Sequence, residues 1–357
     1  MKRFRIALIM MAALALGLTA NAQYVTSHAK IAMPGQQKGM YYALPRTVVQ
    51  LDFIVEEIEL IEGPYSEYVY MVGANDYVDG DGIEYRLADV KMSTYAEADP
   101  NATFFVAMSP KKGEGMTFSL NSKGILQGVG VEPNPDPNFR PLPPPTSHLS
   151  TPISQDKTFK YQYGSNGMRS EEQLARNAAE MINRIREEKI KLITGFQETA
   201  FALDTYRQML TDLETMENEY LSLFIGKKIV NTTVKTVYVT PSKEVTSQTI
   251  GKFSTTSGFS TNIAGNGSLI TFQAISLNTT GNFNEPSPSA IESIAHDNKL
   301  FYRIPETAHV KVTLGNEVLV ERRETIAQYG VFMMAPLGKA KLTLDPNTGQ
   351  ITSMGIE

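Results

Sequence analysis

The chain has 357 residues, 42% of them hydrophobic and 20% charged, with 33 Lys and Arg against 38 Asp and Glu and a net charge of −5. At roughly 150 residues per domain, two domains or three small ones are expected, and about three-quarters of the unfolded surface of such a chain is buried without a metal or a staple. The absence of Cys excludes disulfides, thiolate metal sites, iron–sulfur clusters and a cysteine nucleophile; four His are too few and too scattered to spell a histidine metal centre.

Residues 1–22 read as a signal peptide. Lys2, Arg3 and Arg5 form a positive start, and Ile6 to Leu18 is an apolar run of thirteen residues, short of the roughly 20 that a membrane-spanning helix needs. Ala20-Asn21-Ala22 supplies the small residues that signal peptidase reads, so the mature chain is expected to begin at Gln23. No Cys follows for a lipid anchor, and no later stretch has the length of a membrane span. Loss of the three basic residues leaves 30 Lys and Arg against 38 Asp and Glu, a balance of −8. An acidic exported chain is poorly suited to nucleic acid, because phosphate contacts need a basic footprint.

Residues 23–132 read as an N-terminal β module. Val49, Leu51, Phe53 and Val55 alternate with Gln50, Asp52 and Ile54 at a period of two. Strand-like runs continue over 83–131, broken by Gly, Pro and Asp, and close in a hairpin from Met116 to Val131 whose turn needs the left-handed residue that Gly124 supplies. Residues 133–168 form a proline-rich connector: eight prolines fall within 133–152, and each removes a ladder donor. Residues 169–226 change to a helical period. Ser170-Glu171-Glu172-Gln173 is a capping-box pattern; Leu174, Ala178, Met181, Ile185 and Leu192 then follow helical spacing to Gly195. Ala202, Tyr206, Met209, Leu213, Met216, Tyr220 and Leu223 make a four-three seam ending at Gly226. A short loop between the two makes an antiparallel αα-hairpin. The Met and Tyr stripe reads as the seam between the helices, with an interaction face as the other reading. Residues 227–357 return to strands: 229–240, 269–277, a hairpin through Gly315-Asn316, and a final pair around Asp345–Gly349, with 251–268 expected as a loop.

The two β regions resemble one another. Tyr41-Tyr42-Ala43-Leu44-Pro45-Arg46-Thr47 matches Phe301-Tyr302-Arg303-Ile304-Pro305-Glu306-Thr307, Phe105 to Pro110 matches Val331 to Pro336, and the closing hairpins around Gly124 and Gly349 align. The expected fold class is therefore α+β, two duplicated β-rich modules with an αα-hairpin between them, the first copy carrying extra residues over roughly 57–90.

Motifs for chemistry are few. There is no G-x-S-x-G elbow, phosphate loop, H-E-x-x-H or dinucleotide fingerprint, and Gly265-Asn266-Gly267-Ser268 has no helix behind it. His28 lies near the mature N-terminus, where fraying is expected; His148 lies in the connector; His296 adjoins Asp297; His309 falls out of phase with Val310 and Val312, beside Lys311 in alternation. Adjacent His and Asp rarely orient one another as a triad needs. Asp76, Asp79, Asp81 and Glu84, with Gly80 and Gly82, offer the oxygens that calcium prefers or, more simply, an exposed turn. Tyr65, Tyr68, Tyr70 and Tyr77 concentrate rings that either pack or stack on sugar or peptide. No catalytic residue, cofactor site or metal site is assigned, and no cofactor.

Tyr41-Tyr42-Ala43-Leu44-Pro45, Ser93-Thr94-Tyr95-Ala96-Glu97-Ala98-Asp99-Pro100, Glu219-Tyr220-Leu221-Ser222-Leu223-Phe224-Ile225-Gly226 and Tyr302-Arg303-Ile304-Pro305 resemble the exported Bacteroidota family catalogued as domain of unknown function 4831. The resemblance covers nearly all of the mature chain. It implies a Gram-negative envelope location, in the periplasm or at the cell surface, and brings no catalytic residues. The expected function is a non-enzymatic binding or structural component of the cell envelope, with an envelope protein or a glycan as partner. The alternative is a hydrolase of envelope or dietary polymers using Asp/Glu chemistry, which would show as two carboxylates facing across a deep cleft.

Overall fold

A computed structural model describes residues 24–33, 35, 38–108, 116–132, 139–140, 170–194, 203–338 and 340–356. The expected leader and most of the proline-rich connector, with His148, lie outside the described residues. The fold is α+β and mostly strand.

Two long antiparallel hairpins organise it. The first joins β2 (Gly39–Ile61) to β3 (Gly82–Met108); β1 (Tyr24–His28) lines the far side of β3. Where strand-like runs interrupted by Gly, Pro and Asp were expected over 83–108, one strand of 27 residues runs through. Its Pro100 falls in a bulge, where a missing donor costs no ladder bond. The second long hairpin joins β11 (Lys299–Leu314) to β12 (Glu317–Pro336) through Gly315-Asn316, with Gly315 at φ 56° as a two-residue loop requires.

The remaining strands interleave segments from both sides of the helices. They are β4 (Phe118–Leu120), β5 (Leu126–Val129), β6 (Lys227–Val239), β7 (Ser247–Ser254), β8 (Gly258–Ser260), β9 (Ser268–Ser276), β10 (His296–Asp297), β13 (Ala340–Leu344) and β14 (Ile351–Ile356). The described strands form three sheets, ordered β10-β1-β3-β2-β6, β12-β11-β9-β7-β8 and β14-β13-β5-β4. Thus β6 pairs along β2, β10 along β1 and β13 along β5; hydrogen bonding crosses the 226/227 boundary in the first sheet and joins the two β regions in the third. The loop expected over 251–268 is partly strand: the end of β7 and all of β8 fall there, with Phe253 opposite Phe259 and Phe259 stacked 4.7 Å from Phe53. Two aromatic anchors outweigh the Gly, Ser and Thr around them.

The first two sheets face each other across a core that includes Val49, Leu51, Phe53 and Val55 of β2 and Val310, Val312, Ile270 and Phe272 opposite. A second core joins the starts of both hairpins to the third sheet, with the Phe104 ring stacked 4.7 Å from Phe301 and 5.4 Å from Tyr42. Burial of each such side chain contributes about 1.5–3 kcal/mol.

The two long hairpins share an irregularity. On β3, residues 99–102 stand opposite the single Leu44; on β12, residues 327–330 stand opposite the single Pro305. With Tyr41 set on Phe301, their partners are Phe105 and Met334. The return strands therefore correspond three residues further along than the match of Phe105 with Val331.

Past Val55 the first hairpin runs on, with Tyr85 donating its N–H to the Thr255 carbonyl between β7 and β8 at 2.7 Å, and residues 56–61 are all half-buried. They meet a 3₁₀ turn (Ser66–Val72), α1 (Glu171–Thr194) and α2 (Leu203–Ile225) around a small core of Tyr65, Ala175, Ile182, Leu223 and Phe224. Ser170 caps α1, accepting the Gln173 N–H on its hydroxyl at 3.3 Å. Gly226 ends α2 at φ 76°, pressed against Ile61 and Val78, where a side chain has no room. The buried stripe of α1 takes in the expected Ala178, Ile185 and Leu192 and widens to Ala175, Ala179 and Ile182, with Leu174 and Met181 half-buried at its edge. On α2, Met216 is exposed and Glu217 faces α1 instead, held by Arg186 Nε at 2.7 Å and Lys189 Nζ at 3.0 Å.

Candidate functional site: a polar cleft between the long hairpins

The hairpins are clasped by buried polar groups at their bulges. Arg303 lies in phase with Phe301 on β11 and points inward. Its Nη2 donates to Asp99 Oδ2 at 3.0 Å and its Nη1 to the Pro45 carbonyl at 2.6 Å, while the guanidinium lies 4.8 Å from the centre of the Phe332 ring. Burial pushes the guanidinium pKa down and Asp99 pulls it back up. Asp99 Oδ1 accepts the Asn101 N–H at 2.9 Å, which fixes the bulge. In the opposite direction, Gln328 of the β12 bulge accepts the Thr47 N–H at 2.7 Å and donates to the Thr47 and Pro241 carbonyls at 2.9 and 3.0 Å. The Thr47 hydroxyl accepts the Ala327 N–H at 2.9 Å.

Beside this clasp opens a cleft of about 340 Å³. Thr47, Thr94 and Tyr95 line it from the first hairpin, Glu324 and Thr325 from β12, and Asn347 and Thr348 from the β13–β14 turn, with Arg140 beside them. Its frame is rigid. The Arg140 N–H donates to Asn347 Oδ1 at 3.0 Å and its carbonyl accepts the Ala96 N–H at 2.8 Å. Asp345 accepts from the Asn347 N–H at 2.9 Å and from the Thr348 hydroxyl at 2.9 Å. Glu324 Oε1 pairs with Arg322 Nε at 2.5 Å. Of the described lining residues, Glu324 alone carries a carboxylate, and the others offer hydroxyl, amide and guanidinium groups for hydrogen bonding.

Among the described residues two carboxylates are deeply buried, and both are held by donors. Asp99 belongs to the clasp. Glu306 accepts from the N–H and hydroxyl groups of both Thr279 and Thr280 at 2.5–3.1 Å and from the Thr307 N–H at 3.0 Å. Burial alone would raise its pKa, but these donors prevail and draw it down to about 2.

The residues singled out in the sequence are dispersed. His28 does not fray: it is 1% exposed at the end of β1, with Nε2 3.1 Å from the Asn101 carbonyl and Nδ1 accepting the Lys30 N–H. His296 packs edge-on against Phe301, and His309 pairs with Glu321 across the hairpin at 2.9 Å. In the acidic segment, Asp76 sits 3.5 Å from Lys228 Nζ, Asp81 accepts the Glu62 N–H at 2.8 Å, and Val78 is tied to the Ile225 carbonyl under α2. Among the described residues, no three His, Asp or Glu side chains gather to hold a metal ion. The tyrosines divide: Tyr65 is buried 5.6 Å from Phe224, while Tyr70 and Tyr77 are exposed. The cleft itself went unseen in the sequence because its walls come from residues about 280 positions apart. One signal was present in part, the charge of Arg303 at an inward-facing alternation position.

A family model described as Domain of unknown function (DUF4831) matches residues 38–352. The chain belongs to that family. The match takes in both long hairpins, the helices and every residue that lines the cleft. No curated protein and no solved structure matches the chain. No helix among the described residues is long and apolar enough to cross a membrane.

Proposed function

We propose that this protein is an exported, non-enzymatic binding or structural component of a Gram-negative, Bacteroidota-type cell envelope. It is built as two copies of one β module with an antiparallel αα-hairpin between them. The same three-residue register shift in each hairpin, at bulges one position apart when Tyr41 is set on Phe301, and the corresponding prolines Pro45 and Pro305 support the duplication. The ion pairs from Arg186 and Lys189 to Glu217, with Ala175 in the same cluster as Phe224, support the opposed helix directions. The leader-like segment 1–22 supports export, with which the absence of Cys is compatible.

One observation carries the binding role. The helical pair packs on the end of the first long hairpin, and it exposes Ile190, Ile193 and Leu203 at more than 60% of their surface. Apolar groups gathered at one end of an element mark an interaction surface. The deeply buried carboxylates, in contrast, are engaged in holding loops. A photocrosslinking residue placed at Ile193 in the source cell tests this reading. Capture of one defined envelope component is expected. Recovery of the chain in the cytoplasm with its first 22 residues retained, or crosslinking to nothing above background, would contradict it.

A further inference from the structure

We propose that the cleft beside the clasp binds a neutral saccharide unit; this rests on the binding role above and gives it a ligand class. The walls present donors and acceptors of every kind that a sugar hydroxyl can meet. Arg140 offers donors only, Glu324 retains Oε2 as an acceptor, and the Thr94 and Thr325 hydroxyls, engaged with no other described group, do both. Arg140 and Glu324 both line the cleft and carry opposite charges. An anion drawn to Arg140 meets Glu324, and a cation drawn to Glu324 meets Arg140, with Arg322 behind it. A ligand without net charge and dense in hydroxyls satisfies both walls at once.

Size and rigidity agree with this. About 340 Å³ lies at the small end of the range for ligand sites, room for one or two sugar rings. The walls are held by the Arg140–Asn347, Asn347–Asp345 and Thr47–Gln328 hydrogen bonds, so binding orders little of the protein.

The test titrates the full mature chain by calorimetry with neutral oligosaccharides of glucose, xylose, mannose and N-acetylglucosamine, and with uronate-containing and sulfated counterparts. Glu324→Gln, Thr325→Val and Arg140→Ala are compared after their melting temperatures are shown to match the parent. Thr325→Val disturbs no ion pair, so it remains informative if Glu324→Gln loosens the fold. A neutral saccharide is expected to bind, with affinity reduced about tenfold in each variant. Binding that all three variants retain would overturn the site. Preference for the acidic sugars would overturn the ligand class. Absence of saccharide binding in a chain that still crosslinks to an envelope protein through Ile193 would overturn the inference and leave the binding role standing.

Discussion

Arg303 Nη2 lies 3.0 Å from Asp99 Oδ2, both side chains almost wholly buried, and this pair joins the start of the second long hairpin to the bulge of the first. The two residues are 204 positions apart. Gln328 occupies the corresponding bulge of the second hairpin and binds Thr47 of the first. Each hairpin therefore completes the hydrogen bonding of the other.

Removal of one partner of a buried ion pair leaves the other charged and unpaired. Asp99→Asn and Arg303→Met are each expected to cost about 3–5 kcal/mol, and the double variant less than the sum. Urea unfolding of the four proteins measures the coupling. Additive costs would show that the pair does not hold the hairpins together.

Gln328→Ala strips the Thr47 N–H and carbonyl of their partners without removing a charge. A loss of about 1–3 kcal/mol is expected, with the same unfolding slope. The same substitution at Gln208, whose amide meets only Asp212 on the exposed face of α2, is expected to cost under about 0.5 kcal/mol.

Glu306 sets an acid limit. Its folded pKa of about 2 lies below its ordinary value of 4.5. Its contribution is therefore present in full above about pH 5 and is lost as pH falls from there through about 2, amounting to something on the order of 3 kcal/mol. Glu306→Gln is expected to lower stability at neutral pH and to flatten the acid limb of the stability profile. An unchanged limb would remove Glu306 as its source.

Glu217 links the helices through Arg186 and Lys189, and the Arg186 hydrogen bond, with Lys189 behind it, holds its carboxyl below the usual range. Because the group is partly exposed, Glu217→Ala is expected to cost only about 0.5–1 kcal/mol. Hydrogen exchange of α1 amides near Arg186 is expected to speed up while β2 amides stay protected; equal change in both would contradict a local role.

Much of the local structure was legible because single residues dictate it. Ser170 marks a cap, Gly226 a helix end, Gly315-Asn316 a two-residue turn and Gly124 a left-handed position. The pairing of strands was not legible, since β1 finds β10 and β5 finds β13 across more than 200 residues with no local mark of the partner. The loop expected over 251–268 rests on its Gly, Ser and Thr content, whereas pairing of β7 with β8 and β9, with Phe253 opposite Phe259, puts part of it in a sheet. His28 was misjudged from its place near the chain start, although β1 lies between two other strands. The polar cleft depends on the first hairpin, Arg140, β12 and the β13–β14 turn meeting beside two bulges, and sequence alternation marks those bulges only through Pro100 and Pro305.

Native co-purification from the source cell tests the central claim most directly. The chain, tagged at its C-terminus, and an Ile190→Glu/Ile193→Glu variant of equal stability are recovered by gentle fractionation. The account predicts a stoichiometric envelope partner with the parent chain and its loss with the variant. Recovery of both as the same lone monomer would contradict it.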